Sequence, residues 1–68
     1  MKVGDVVTFI DPSHRYARWF LYQIGVVEKI PLAPAPVYCR VRWIQPVKTA
    51  NGQATYSDFE IKCYEVHQ

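Results

Sequence analysis

The run Val37-Tyr38-Cys39-Arg40-Val41-Arg42-Trp43-Ile44 decides how this chain folds. Val37, Cys39, Val41 and Trp43 share one parity, Tyr38, Arg40 and Arg42 share the other, and Ile44 closes the run. Successive side chains of a strand point to opposite faces, so this alternation predicts a half-buried strand, apolar inside and basic-aromatic outside. We expect it to be the central strand, with shorter strands folded around it.

Toward the N-terminus, Ile24-Gly25-Val26-Val27-Glu28-Lys29-Ile30 predicts a second strand. Its Gly25 marks either a bulge or a close approach of backbones. Between the two strands, Pro31-Leu32-Ala33-Pro34-Ala35-Pro36 predicts a stiff loop of extended character, since proline lacks a ladder donor. Val6-Val7-Thr8-Phe9-Ile10 predicts a first strand, with Val7 and Phe9 pointing inward together with Val3. Asp11-Pro12-Ser13 ends it. The segment His14–Gln23 fits two readings. Tyr16, Trp19 and Phe20 at i, i+3, i+4 match a helical turn capped by Ser13, and they equally match a long loop that folds its aromatics over the domain's mouth.

Toward the C-terminus, Gln45–Gln53 leaves the central strand, and Asn51-Gly52 carries a strong hairpin signal. Ala54-Thr55-Tyr56-Ser57 returns as a fourth strand. Asp58-Phe59-Glu60-Ile61 predicts one tight helical turn capped by Ser57, with Phe59 and Ile61 dropping into the core, and Lys62–Val66 predicts a closing strand. The expected fold is all-β: a single domain over 1–68, built as a small five-stranded barrel with a long first loop and one helical turn before the last strand.

A chain of 68 residues has room for one core. Such a chain buries only about 60% of the surface its unfolded form exposes, so dense packing of large side chains must supply stability. Two Trp, five Tyr and three Phe exceed what so small a core can enclose. Some of these rings are therefore expected at the surface, where clustered apolar area marks a partner. The net charge of +2 is too small to argue for nucleic acid by itself. No hydrophobic run approaches the length of a membrane span, so no membrane partner is expected. Two cysteines and no export signal predict reduced thiols and a cytoplasmic setting.

The run Val3-Gly4-Asp5-Val6-Val7, then Gly25-Val26-Val27, Val41-Arg42-Trp43, and Asp58-Phe59-Glu60-Ile61 before a final strand, resembles the SH3-like barrels. Small SH3-like proteins, many carried by tailed bacteriophages, look like this along nearly their whole length. The Val41-Arg42-Trp43 strand is similar to one in the small stromal photosystem I subunit that helps dock ferredoxin. Asp58–Ile61 is similar to the end of the variable chain of ferredoxin–thioredoxin reductase. The first loop is longer here than in the photosystem subunit. The resemblance implies a non-catalytic subunit or adaptor, of phage or marine bacterial origin.

No catalytic constellation stands out: there is no acidic dyad, no His placed beside Ser or Cys by a motif, and no glycine-rich phosphate loop. His14 and His67 read as exposed bystanders, and their spacing from Cys39 and Cys63 fits no zinc site. Both cysteines read as buried thiols. We expect no enzyme activity, no metal and no cofactor.

His14–Tyr22 places four aromatics and two arginines in nine residues. Tyr, Trp and Arg are the side chains that carry interface energy. The leading expectation is therefore docking to another protein through Arg15, Tyr16, Arg18, Trp19, Phe20 and Tyr22, with Trp43 and Tyr56 contributing. The alternative for the loop is that Trp19 and Phe20 cover the end of the core while the arginines keep it soluble. A second expectation is nucleic-acid binding through Arg15, Arg18, Tyr38, Arg40, Arg42 and Lys48, where guanidinium and ring supply charge and stacking. Against it stands the possibility that the outer arginines pair with acidic residues on neighbouring strands.

Overall fold

The computed structural model describes residues 1–32 and 36–67. Part of the expected proline loop, residues 33–35, lies outside the described residues. Five strands, β1 (Val6–Phe9), β2 (Ile24–Lys29), β3 (Tyr38–Thr49), β4 (Gly52–Glu60) and β5 (Tyr64–Val66), pair antiparallel in one sheet ordered β4-β3-β2-β1-β5. A single helical turn, α1 (Ala17–Phe20), interrupts the loop between β1 and β2. A 3-10 turn at Ile61–Cys63 precedes β5.

Strand β3 has the expected alternation, with Cys39, Val41 and Trp43 buried and Tyr38 and Arg42 exposed. It is also longer than the sequence pattern predicts, because it continues through Pro46 to Thr49 and buries Val47. The ladder with β4 is irregular between Arg42 and Val47, so Pro46 falls where no ladder donor is required. Val37 is a correction: it lies outside the strand and is 53% exposed, although its carbonyl accepts the Ile61 N–H at 2.7 Å. Val3, also expected inward, is exposed.

Gly25 is a close approach rather than a bulge. A Cβ there would meet the Arg42 carbonyl oxygen at 2.7 Å and press on the Val41 and Trp43 side chains. The bulge falls instead at Glu28, where β2 advances two residues from Val27 to Lys29 against one on β3. The hairpin also differs by one residue from the pattern: Thr49 pairs with Gly52, so Ala50 and Asn51 form the loop and Gly52 takes φ +120.

The helical turn expected at Asp58–Ile61 occurs three residues later. Asp58, Phe59 and Glu60 belong to β4, held there by pairing of Tyr38 with Glu60, Cys39 with Phe59 and Arg40 with Asp58. Ser57 therefore caps nothing, and Cys63 lies in the 3-10 turn rather than in the closing strand. Phe59 does enter the core, and Ile61 packs against it. In the first loop, α1 has no side-chain cap, and Ser13 instead donates from its backbone and hydroxyl to Asp11.

The core is small and rich in rings. Phe9, Val7, Val27, Val41, Cys39 and Cys63 are fully buried. Phe59 meets Phe9 and Phe20 edge-on at centroid distances of 5.2 and 5.1 Å, and Phe20 lies 5.4 Å from Trp43. Edge-to-face contacts of this kind add about 0.5–1.5 kcal/mol beyond buried area. The two thiols are free and separately placed, Cys39 against Met1 and Cys63 against Asp11, each at 3.7 Å.

Candidate functional site

The first loop is anchored at both ends. Phe9 donates to the Gln23 carbonyl at 3.1 Å and Tyr22 donates to the Phe9 carbonyl at 2.8 Å. His14 is part of this anchoring, which corrects its reading as an exposed bystander. Its ring lies 4.9 Å from Phe59 and 5.4 Å from Phe9, and its Nδ1 accepts the Tyr16 N–H at 3.1 Å. Held this way, α1 buries Ala17 and Phe20, leaves Tyr16 exposed and packs Trp19 half-buried against the edge of the core. The two outer rings stack at 6.0 Å with an interplanar angle of 28°.

Across from them runs β4, and between the two lies a groove of about 440 Å³. Tyr16, Trp19 and Phe20 form one wall, Tyr56 to Phe59 the other, and Thr49 and Asn51 of the hairpin close one end. Tyr16 is 39% exposed and Tyr56 is 47% exposed. Arg15 lies over the Tyr16 ring at 5.2 Å and Arg18 over the Trp19 ring at 4.8 Å. Among the described residues, neither arginine makes an ion pair. The groove is concave and aromatic, with two guanidiniums lying over the rings of one wall and Asp58 on the other.

The remaining expected residues fall elsewhere. Trp43 is 4% exposed; it packs beneath Phe20 and donates from Nε1 to Ser57 Oγ at 3.0 Å, so it supports the groove without lining it. Tyr22 is 73% exposed with φ 66, and it borders a separate shallow depression with Gln23, Ile24, Ile44 and Gln45. The groove residues that the sequence pattern did not single out are Thr49, Asn51, Ser57, Asp58 and Phe59. Only the strand assignment of 58–60 would have revealed the last two.

The outer face of β3 is internally paired. Arg40 donates to both carboxylate oxygens of Asp58, at 2.9 and 3.0 Å, and Arg42 donates to Glu28. The Arg40 hydrogen bonds hold the Asp58 carboxyl below the usual carboxylate range and raise the Arg40 guanidinium. Of the residues named for nucleic-acid binding, Arg15, Arg18 and Lys48 lie outside ion pairs among the described residues, and Tyr38 is 53% exposed. Arg40 also lies over the Tyr56 ring at 4.5 Å, so groove and outer face meet at Tyr56.

His67 is exposed and hydrogen-bonds Thr8 Oγ1 across the sheet edge. Among the described residues no group of three or more His, Cys, Asp or Glu side chains is placed to hold a metal ion. Burial raises the Cys39 thiol, and burial with the Asp11 carboxylate pushes the Cys63 thiol up to about 11, so both resist ionisation. No described helix is long and apolar enough to cross a membrane. Comparison of the chain with protein-family models, with curated proteins and with solved structures finds no significant match.

Proposed function

We propose that this protein is a non-catalytic docking module of SH3-like barrel type, working in the cytoplasm, that holds a segment of a partner protein between its first loop and β4. One observation carries the reading. The first loop presents Tyr16 exposed and Trp19 half-buried, stacked on each other opposite Tyr56, along one wall of a groove. Phe20 already closes this end of the core, while Tyr16 stays 39% exposed and Trp19 only partly buried. Rigid aromatics at a partly wet site carry binding energy at low entropic cost.

Nucleic-acid binding is the competing reading. The pairing of Arg40 with Asp58 and of Arg42 with Glu28 weakens it, because a phosphate would have to displace carboxylates already in place.

The test is a random-peptide display selection on the native protein, followed by affinity measurements on Trp19→Ala. Peptides are expected to emerge, and Trp19→Ala is expected to weaken them at least tenfold, about 1.4 kcal/mol or more. Unchanged affinity in Trp19→Ala sinks the reading. So does oligonucleotide binding at low salt that falls steeply as salt is raised, with no peptide selected.

A further inference from the structure

The groove touches Tyr56, Ser57, Asp58 and Phe59, four consecutive residues of one strand. A cavity on either face of a sheet meets alternate residues, since side chains alternate. Contact with both parities places the groove against the edge of β4. Among the described residues that edge is open, because β4 is terminal in the strand order and pairs there with β3 alone.

The register identifies which backbone groups face it. Ile61 donates to the Val37 carbonyl, in line with the pairs Tyr38–Glu60, Cys39–Phe59 and Arg40–Asp58. In an antiparallel ladder, hydrogen-bonded and non-bonded pairs alternate. Ile61, Phe59 and Ser57 therefore bond inward to β3, while the N–H and C=O groups of Glu60, Asp58 and Tyr56 point away from it. Edge strands are ordinarily protected by lysine or proline, and β4 contains neither.

We propose that the partner segment binds as an added strand on β4, exchanging backbone hydrogen bonds with Tyr56 and Asp58 while an apolar side chain enters between Trp19 and Tyr56. This rests on the docking reading and specifies its ligand: an extended segment with acidic residues flanking β-branched ones. The acidic flanks follow from charge. Arg15 and Arg18 lie over the Tyr16 and Trp19 rings of the α1 wall and outside ion pairs among the described residues, whereas Asp58 is paired with Arg40. Edge pairing with a second copy is disfavoured, because α1 walls the groove opposite β4, where an added strand would lie about 4.8 Å away.

The probe is a capped seven-residue peptide of alternating Thr and Val with Glu at each end. Amide hydrogen exchange is followed by NMR in the intact protein. Exchange at Tyr56 and Asp58 is expected to slow at least tenfold with peptide. Of two versions N-methylated at alternate residues, one is expected to bind at least tenfold more weakly than the other. Lysine at the ends is expected to cost a similar factor. Shifts at Trp19 without protection of these amides overturn strand addition and leave docking standing. Absence of any binding overturns strand addition, and the display selection then decides docking independently. Protection of the same amides by self-association, without peptide, also overturns it.

Discussion

Trp43 is 4% exposed with its indole N–H bonded to Ser57, while Trp19 is half-buried with Arg18 over its ring. The two side chains are chemically identical, so replacing each by alanine separates core from surface. Trp43→Ala is expected to cost about 3–5 kcal/mol of stability, the range for a buried large ring. Trp19→Ala is expected to cost less than about 2 kcal/mol, because a half-exposed ring forfeits less buried area. Urea unfolding of the two variants checks both values. A loss at Trp19 equal to that at Trp43 makes the loop a lid. Cys63 offers a second test at this scale. Its thiol is raised from 9.0 to about 11 by burial and the nearby Asp11 carboxylate. The folded state therefore favours the neutral thiol: the stabilisation is complete below pH 9 and is lost as pH rises toward about 11. Stability measured from pH 8 to 11 is expected to fall less steeply in Cys63→Ala than in the parent. Equal slopes would show that Cys63 does not contribute.

At the level of elements, β2 and β3 are in contact through Gly25, whose missing Cβ leaves space for the Arg42 carbonyl and the Val41 side chain. Gly25→Ala is expected to destabilise by about 1–3 kcal/mol through overpacking, measured by the urea midpoint. No loss would mean the strands separate without cost. The pairing of β3 with β4 carries the Arg40–Asp58 bridge, which is half exposed and therefore weak. Its sign is fixed by the lowered Asp58 carboxyl: its contribution is present above the usual carboxylate range and is lost as pH falls through the folded value. Asp58→Asn is expected to flatten the acid side of the stability profile below pH about 4, and an unchanged profile would discount the bridge. These elements also show what sequence makes legible. The alternation Cys39, Val41, Trp43 specified β3 because burial imposes a period of two. The pattern of Asp58-Phe59-Glu60-Ile61 predicts a helical turn and Asp58–Glu60 are strand, since four residues satisfy either. The ladder with Tyr38–Arg40 decides between them, and such nonlocal pairing leaves no local mark.

Across the whole molecule, the aromatic surplus and the loop His14–Tyr22 announced a surface, and four of its expected residues, Tyr16, Trp19, Phe20 and Tyr56, do line one groove. The opposite wall was not legible, because it depends on where β4 ends and on which of its edges stays open. Nor was the fate of the outer arginines, which is set by Asp58 and Glu28 on adjoining strands. The result is a small sheet whose outer arginines on β3 are ion-paired, while Arg15 and Arg18, outside ion pairs among the described residues, lie over the Tyr16 and Trp19 rings. The chain contains two indoles, one at the groove and one beneath it, so a single titration tests the central claim. A display-selected peptide is added while both indole N–H resonances are followed at moderate salt. Docking at the groove predicts a saturable shift of Trp19 with a much smaller change at Trp43. A saturable binding event that leaves the Trp19 resonance unmoved would contradict it.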